Sequence, residues 1–249
     1  MSRKTQLSKA VIIASGYGRR MQQKDRLPSK PMTVIGHKPL ITYIIDLLIY
    51  SGIEKIYIVH HSVTADVLNL LKYSDDYTKY LEFIEEDEQR GSLMSFSRVK
   101  DVLSPPFLMV FEDIIAEKND FVDMLNIGEK YIVGETDLVI QTVRSPSIIS
   151  EQAFLTENDR IIRYQKNGII GEVDNTQEKK YGGMVYLWNS DPFPLIDIYL
   201  SQQNYKFSAF LEAYIPTHVV SEMPINDMWD VDTPEIVLLT EEILRKRSN

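Results

Sequence analysis

The segment from residue 10 to residue 32 constrains the fold of this chain more than any other. Residues 10–14 (AVIIA) are apolar and indicate a buried β-strand, and Gly16 and Gly18 follow directly. Glycine permits a tight turn there, with backbone N–H groups left exposed. Five cations follow within a dozen residues: Arg19, Arg20, Lys24, Arg26 and Lys30. Such a turn, followed by a polar and basic loop, is suited to a triphosphate, whose charge is spread over many oxygens.

The distribution of charge separates this basic segment from the rest of the chain. The 249 residues have a formal net charge of −9, yet the first 38 residues carry nine Lys or Arg against one acidic residue. An acidic surface disfavours nucleic acid and anionic membranes, whereas a local basic loop can still concentrate a small anion. No stretch approaches the roughly 20 apolar residues of a membrane-spanning helix. We therefore expect no nucleic-acid partner and no membrane partner.

The composition also bears on compartment and domain organisation. Cysteine is absent, which excludes disulfides and thiolate metal sites and allows a reducing compartment. The first residues, MSRKTQLSK, are polar and lack the apolar run of a signal peptide, so we expect a cytoplasmic protein. With 44% hydrophobic residues and no visible repeat or linker, the sequence predicts a single domain over residues 1–249.

Strands alternate with helices through the first half of the sequence. Strands are predicted at 10–14, 55–59, 81–84 and 107–111, with helices at 39–51, 64–73 and 92–103. This is the pattern of an open, doubly wound α/β sheet. The second half has looser connections, with strands predicted at 137–143, 161–165 and 183–188, a polar surface excursion at 168–180 and a helix at 234–247. We expect a Rossmann-like open mixed sheet flanked by helices.

Two motifs lie at the ends of the basic segment. Residues 14–21 read ASGYGRRM, and residues 29–32 read SKPM. A dinucleotide-binding fingerprint is incomplete because Met21 replaces its third glycine, and no P-loop G-K-[ST] occurs. The two motifs resemble A-G-x-G-[ST]-R-[ML] and P-K-P-[LM] of the nucleotidyltransferase superfamily. That superfamily includes sugar-1-phosphate nucleotidylyltransferases and the cytidylyltransferases of phosphocholine and related alcohols.

Shorter matches follow in the order of that family. They are residues 39–41 (PLI), 51–53 (SGI), 89–92 (QRGS), 111–113 (FED), 164–166 (YQK), 181–184 (YGGM) and 229–235 (WDVDTPE). The resemblance covers about residues 9–245 and implies a fold of the nucleotide-diphospho-sugar transferase type. Phe111 and Glu112 depart from the Asn-Gly that the family more often has at this point.

The resemblance implies a reaction and its charged residues. A phosphate oxygen of the acceptor would attack the α-phosphorus of a nucleoside triphosphate and release pyrophosphate. The attacking oxygen is already ionised, so the difficulty is to bring two anions together, which calls for cations and a hard metal, Mg²⁺ or Mn²⁺. By resemblance, Arg20 and Lys30, the latter in a polar loop, hold the triphosphate. Asp113 holds the metal with Asp230 or Asp232.

The resemblance also assigns the two substrates. By resemblance, the nucleoside is bound by the turn after the first strand and by a second glycine-containing segment. The residues are Ala14, Ser15, Gly16, Gly18, Gln89 and Gly91. The resemblance assigns Lys166 to binding of the acceptor phosphate. The implied partners are a nucleoside triphosphate and a small phosphorylated acceptor, with the nucleobase and the acceptor left open. The irregular second half is compatible with a homodimer.

Structural roles and other functions compete with these assignments. Asp232 would also serve as N-cap of the helix at 234–247, Asp113 could end a strand, and Lys166 could be a surface lysine. A glycosyltransferase with a similar nucleotide-binding half needs an Asp-x-Asp motif, which Asp230 and Asp232 spell in an unexpected part of the chain. A nucleotide-binding relative without turnover is the non-enzymatic alternative, and Glu112 makes it plausible.

Overall fold

Strand β1 (Lys9–Ala14) forms where the sequence predicts it, from residues that are almost all buried. The computed structural model describes residues 7–16, 18, 20–21, 29–64, 66–72, 74–88, 90–143, 152–166 and 176–247. The further strands are β2 (Val34–Ile35), β3 (Lys38–Pro39), β4 (Lys55–His61), β5 (Leu81–Glu86), β6 (Phe107–Phe111), β7 (Ile114–Ala116), β8 (Leu138–Val143), β9 (Gln152–Glu157), β10 (Arg160–Lys166), β11 (Glu178–Trp188), β12 (Val220–Pro224) and β13 (Met228–Asp230). The helices are α1 (Leu40–Tyr50), α2 (Asp66–Leu71), α3 (Ser92–Ser97), α4 (Lys118–Glu129), α5 (Phe193–Ser201), α6 (Phe207–Tyr214) and α7 (Pro234–Arg247).

One sheet of nine strands organises the described residues, in the order β5-β4-β1-β6-β11-β8-β12-β10-β9. Strands β5, β4, β1 and β6 are parallel, as the alternation of strands and helices predicts. Strand β11 then runs antiparallel to both β6 and β8, which makes the sheet mixed. The predicted fold class is confirmed.

The sheet has a hydrophobic core on each face. Along β1, Ala10 and Ile12 pack with helices α1 and α4, whereas Val11 and Ile13 pack on the other face with α3 and α6. Successive side chains of a strand point to opposite faces, so a strand buried on both faces is apolar at every position. This explains the unbroken AVIIA run. Within the described residues, no helix combines the length and the apolar character needed to cross a membrane.

Two local predictions are wrong. The helix predicted at 92–103 ends at Ser97 and continues as turns, because serine hydroxyls compete for helix carbonyls: Ser97 Oγ donates to Met94 O at 2.7 Å. The surface excursion predicted at 168–180 includes Lys180, which is buried in β11 and forms an ion pair with Glu222 of β12. Residues 168–175 of that excursion lie outside the described residues.

A small second sheet brings distant parts of the chain together at the carboxyl end of β6. Strand β13 pairs antiparallel with β7, with Asp230 opposite Ile114. The backbone N–H of Val231 donates to the carbonyl of Asp113 at 2.9 Å. These contacts place the segment containing Asp230 and Asp232 beside the turn that follows β6.

Candidate active site

A cleft of about 390 Å³ opens at the carboxyl ends of β1 and β6. An open α/β sheet binds ligands at this edge, where strand order reverses. Nine of the residues assigned from the sequence line it: Ser15, Gly16, Arg20, Lys30, Gly91, Asp113, Lys166, Asp230 and Asp232. Ala14 is the buried last residue of β1, and Gly18 is not among the residues that line the cleft. Gln89 lies outside the described residues, as do Arg19, Lys24 and Arg26 of the basic loop.

Lys30 begins a short 3-10 helix, Lys30–Met32, in which Pro31 fixes the first turn. The preceding residue, Ser29, anchors this turn to α2, because its backbone N–H and its hydroxyl both donate to the carboxylate of Asp66, at 3.1 and 2.5 Å. The expectation that Lys30 lies in a polar loop is wrong, since the residue is only 7% exposed. Its ammonium group donates to the carboxylates of Asp113 and Asp232.

Lys30 can occupy its position only because residue 18, which lies against it, has no side chain. The φ of Gly18 is +56°, in the left-handed region, and a Cβ atom there would lie 2.6 Å from the Cβ of Lys30. A residue with a side chain would therefore have to displace Lys30 or the turn itself. Gly18 thus supports the lysine rather than lining the cleft.

Three carboxyl groups lie together beside the ammonium group, two of which, those of Asp113 and Asp232, contact it. One oxygen from each of Asp113, Asp230 and Asp232 lies within 4.8 Å of the others. Arg20 adds a second cation, because its guanidinium lies 2.8 Å from Asp232 Oδ2. The structure therefore brings the predicted triphosphate-binding cations and the predicted metal ligands into one cluster. Both Asp230 and Asp232 belong to it.

The crowding of charge shifts the protonation of these groups. Burial opposes protonation of Lys30, but the attraction of Asp113 and Glu112 outweighs it and raises the pKa of the lysine above its ordinary value. Burial and the charge of Asp113 raise the pKa of Asp230 to about 8. Burial acts the same way on Asp232, but Lys30 prevails and lowers the pKa of that carboxyl. The cluster holds three carboxyl groups beside two cations, Lys30 and Arg20.

The alternative role of Asp232 as a helix cap is wrong. The hydroxyl of Thr233 accepts the backbone N–H of Ile236 at 3.4 Å, so Thr233 is the capping residue of α7. Asp232 instead turns to Lys30 and Arg20. The Thr-Pro-Glu that follows is consistent with this cap, because Pro234 is the first helical residue.

Glu112 is a fourth acidic residue of the cleft wall and is only 6% exposed. A Cβ at Gly16 would lie 3.7 Å from Glu112 Oε1, which places the carboxylate beside the turn that follows β1. Burial, then the repulsion of Asp113, raises the pKa of Glu112 to about 8. Its sequence signal was its departure from the family pattern.

On the other side of β1 the cleft is closed by α3. Gly91 precedes this helix at φ +149°, and a Cβ there would lie 2.5 Å from the backbone oxygen of Tyr205. The hydroxyl oxygens of Ser15 and Ser95 lie 2.7 Å apart, within hydrogen-bond distance. The Ser95 hydroxyl also donates a hydrogen bond to Glu86 Oε2 at 2.6 Å. Sequence reasoning missed Ser95 and Glu86, because a serine inside an apolar helix gives no sign of what it faces.

The far wall of the cleft is aromatic and contains further residues that sequence reasoning missed. Rings of Phe111, Tyr186 and Phe207 pack edge to face, with centroids 4.9 to 6.4 Å apart. Lys166 lines the cleft from the end of β10, and the further lining residues include Gln152, Tyr164, Met184, Lys206 and Ser208. Tyr164 and Met184 belong to the family-like segments at 164–166 and 181–184, whereas no motif marked Gln152, Lys206 and Ser208.

Fold and cleft together define an open α/β protein that gathers cations and carboxylates at the carboxyl ends of its strands. The chain belongs to the nucleotidyl transferase family, which it matches over residues 9–230. The resemblance inferred from the motifs is thereby confirmed. It is similar to a mannose-1-phosphate guanyltransferase of Schizosaccharomyces pombe, with 27% identity over 143 residues, 56% of this chain and 39% of that protein.

Other similarities extend over nearly the whole chain. The bifunctional protein GlmU of Methanocaldococcus jannaschii is 24% identical over 243 residues, 96% of this chain and 55% of that protein. The chain thus spans between 39% and 55% of the length of these two relatives. Two solved structures share the fold: a UTP-bound UGPase from Acinetobacter baumannii (TM-score 0.76, 14% identity, 96% of this chain and 93% of that chain) and the inositol-1-phosphate CTP transferase from T. maritima (TM-score 0.72, 15% identity, 95% of this chain and 99% of that chain).

Proposed function

We propose that this protein is a Mg²⁺-dependent nucleotidylyltransferase. It joins the nucleoside monophosphate of a triphosphate to a sugar phosphate or to a polyol or alcohol phosphate, and it releases pyrophosphate. The observation that carries the proposal is the cluster in which Lys30 contacts Asp113 and Asp232 within a cleft at the carboxyl end of the sheet.

The similarities support the reaction class and leave the substrates open. The Schizosaccharomyces pombe relative is named for guanylyl transfer and mannose 1-phosphate, and the T. maritima structure is named for CTP and inositol 1-phosphate. A common fold therefore accompanies different bases and acceptors. We assign to this chain only what these names share, which is nucleotidylyl transfer to a phosphorylated carbohydrate or polyol.

The donor set fits a magnesium ion. Mg²⁺ prefers oxygen ligands at about 2.0–2.1 Å and is usually held by one or two carboxylates together with substrate phosphates and water. Asp113, Asp230 and Asp232 offer three oxygens within 4.8 Å, so two of them can reach one ion after small side-chain movements. When bound, the ion would neutralise charge on the triphosphate and hold its phosphates in position.

The residues of the chain would supply the remaining electrostatic stabilisation. The attacking phosphate oxygen needs no base, so positioning and charge carry the catalysis. Lys30 and Arg20 would hold the triphosphate, and Lys30 would also face the charge that develops at the α-phosphate. Lys166, across the cleft in β10, would bind the acceptor phosphate. The turn at Gly16 would present backbone N–H groups to the nucleotide.

Release of pyrophosphate tests the proposal. The protein would be incubated with Mg²⁺, each of CTP, UTP, dTTP, ATP and GTP, and hexose 1-phosphates, polyol phosphates or phosphocholine. We expect one pairing to release pyrophosphate and to form a nucleoside diphosphate conjugate that mass spectrometry identifies. Asp113→Asn should abolish it, and EDTA should stop it reversibly. If every pairing is inactive, the proposed function is wrong.

The same assay distinguishes the two other functions. A glycosyltransferase would release a nucleoside diphosphate from a nucleotide sugar and would form no pyrophosphate. A nucleotide-binding relative without turnover would bind triphosphate and release neither product. The cytoplasmic location and the homodimer stay predictions, and light scattering after size-exclusion chromatography checks the second.

A further inference from the structure

Helix α7 carries apolar side chains on two faces. Its inner face packs against a small hydrophobic cluster that contains Ile35 and Trp229. A buried hydrogen bond fixes this orientation, since Trp229 Nε1 donates to Thr240 Oγ1 at 2.9 Å. Leu238 and Leu239 therefore point outward, and they are 69% and 41% exposed.

An outward apolar pair is unusual in the middle of a helix that already buries one face. A surface helix normally carries polar residues opposite its core-facing stripe. Single exposed apolar residues are common on soluble proteins and need no explanation. Leu238 and Leu239, however, are the one pair of sequence neighbours among the large apolar residues exposed in the described part of the chain. They form an unpartnered apolar centre on the outer face of α7.

Charged residues flank this leucine pair, with opposite signs at the two ends. The exposed residues of α7 follow the spacing of one helix face up to Lys246; they are Glu235, Leu238, Leu239, Glu242, Arg245 and Lys246. Glu242 is paired within the helix, because its Oε1 lies 2.6 Å from Lys246 Nζ. Glu235 therefore gives the start of the outer face a negative charge, and Arg245 gives its end a positive one.

This order of charges is complementary to itself when a second copy of the helix runs in the opposite direction. Glu235 and Arg245 each lie five positions from Thr240. A two-fold axis at the level of Thr240 therefore places Glu235 opposite Arg245 of the second copy, and the symmetry forms this pair twice. Leu238 and Leu239 lie next to the axis, so the four leucines of the two helices meet at the centre.

We propose that the outer face of α7 binds the outer face of α7 in a second copy of this chain, with the two helices antiparallel. The leucines form the apolar centre of the contact, and the two Glu235–Arg245 pairs fix its direction. This inference concerns assembly and does not depend on the proposed reaction.

The same charges also suit the dipole of α7 itself. A helix favours acidic residues in its first turn and basic residues in its last. A single charge substitution therefore affects the helix and the contact together, whereas exchange of the two charges separates them. The exchanged helix opposes its own dipole, yet it is again complementary to a second exchanged copy.

The test is the dissociation constant of the dimer, measured by sedimentation velocity from about 1 to 100 µM, a range suited to a small interface. The proteins are the wild type, the variant with both Leu238→Gln and Leu239→Gln, the single variants Glu235→Arg and Arg245→Glu, and the exchange that combines these two. Ile198→Gln is the matched control, because Ile198 is 52% exposed on another helix, α5. Thermal melting followed by circular dichroism checks that each variant is folded.

We expect the wild-type protein to dimerise within this range. The leucine variant should raise the dissociation constant at least about 10-fold, because it removes the apolar centre of the contact. Each single charge variant should raise it about 5- to 30-fold, because two attractive pairs become two repulsive ones. The exchange should return it to near the wild-type value, and Ile198→Gln should leave it unchanged.

A wild-type protein that stays monomeric throughout this range overturns the proposal. A dimer that the leucine variant leaves intact also overturns it, since the contact then lies elsewhere on the molecule. If the exchange variant is folded but does not recover the dimer, the antiparallel pairing is wrong. Should Glu235→Arg fail to fold, because it alters the first turn of α7, the leucine variant and Arg245→Glu decide the result.

Discussion

At the scale of single residues, Lys30 is held from both ends of its side chain. Gly18 leaves room beneath its Cβ atom, and Asp113 and Asp232 hold its ammonium group. Ser29 fixes the start of the helical turn through Asp66. A flexible lysine loses about 2 kcal/mol of conformational entropy when it is ordered. Here folding has already ordered it, so a ligand would not bear that cost again.

Lys30→Met should affect both catalysis and stability. It removes the cation that separates three carboxylates, and breaking such a buried pair costs about 3–5 kcal/mol. We expect kcat/KM to fall at least about 100-fold. In EDTA the melting temperature should fall by about 6–20 °C, at about 2–4 °C for each kcal/mol lost, and Mg²⁺ should restore part of that loss.

Lys38→Met is the control for that experiment. Lys38 pairs with Asp46, and both side chains are 27% exposed. An exposed pair contributes about 1 kcal/mol or less, so the control should melt within a few degrees of wild type with no added response to Mg²⁺. A Lys30→Met protein that keeps more than about a tenth of wild-type kcat/KM would contradict the assigned role.

Gly18→Ala should impair the site through Lys30. The new methyl group meets the Cβ of Lys30 at 2.6 Å, and the backbone has a positive φ. We expect kcat/KM to fall about 10- to 100-fold, as misplacement of a catalytic group predicts. Gly36→Ala is the matched control, because Gly36 has φ +63° but meets nothing nearer than Tyr43 Oη at 3.7 Å. If both variants lose activity equally, the close contact is not the cause.

At the scale of secondary structure, the start of α7 separates a structural residue from a charged one. Thr233 caps the helix, and Asp232, one residue earlier, faces Lys30. The two side chains diverge because the chain passes there from β13 into the helix. Two neighbouring residues therefore have different roles: Thr233 stabilises the helix, and Asp232 belongs to the charged cluster.

Substitution at these two positions should give different results. Thr233→Ala should lower the free energy of unfolding by about 1 kcal/mol, which is the usual loss for a helix cap, with kcat within about twofold of wild type. Asp232→Asn should lose most activity, because an amide neither neutralises Lys30 nor binds Mg²⁺ well, and it should also lose some stability with the ion pairs to Lys30 and Arg20. Urea unfolding and steady-state kinetics on both proteins decide this. A stable, fully active Asp232→Asn variant would exclude Asp232 from the metal site.

At the scale of the whole molecule, the cleft balances acidic and basic side chains within a chain that is acidic overall. Four acidic residues, Glu112, Asp113, Asp230 and Asp232, line the cleft together with four basic residues, Arg20, Lys30, Lys166 and Lys206. Burial and the charge of Asp113 raise the pKa of both Glu112 and Asp230 to about 8. Ionisation of these two carboxyl groups is therefore costly in the folded state unless a cation joins them.

Mg²⁺ should therefore raise the melting temperature of the protein. Removal of one carboxyl group should also raise it and should leave a smaller further rise for Mg²⁺. In EDTA at neutral pH we expect Asp230→Asn to melt a few degrees above wild type, because it removes a carboxyl group whose pKa burial and the charge of Asp113 raise to about 8 in the folded protein. It should gain little on addition of Mg²⁺, since a ligand that binds only the folded protein stabilises in proportion to its affinity. Differential scanning fluorimetry measures both shifts. An equal Mg²⁺ response in the two proteins would contradict the metal assignment.

The sequence predicted most of the parallel half of the sheet and the charged half of the site. Unbroken apolar runs such as AVIIA identify strands buried on both faces, and the S-K-P-M motif identifies Lys30. The aromatic wall could not be predicted in this way. Phe207 begins a helix that no motif marks, and its ring comes within 4.9 Å of the Tyr186 ring, on the same face of the sheet, only in the folded chain.

The burial of two lysines, Lys30 and Lys180, also could not be predicted from the sequence. The burial of Lys30 depends on how Gly18 lets two segments approach, and no periodicity records that approach. Lys180 lies in a polar stretch, yet it is buried, because it forms an ion pair with Glu222 of β12. A charge pattern indicates a solvated segment unless the partner is known.

The pairing of β13 with β7 has a consequence for the order in which the molecule is made. Lys30 is translated early, but Asp232 lies 202 residues later, so a ribosome would release most of the chain before the lysine meets that carboxylate. Until then the nascent protein could hold neither the ion nor the triphosphate in this cluster. Resistance to a protease, followed as a function of nucleotide concentration, should for the same reason appear only in chains that extend past β13.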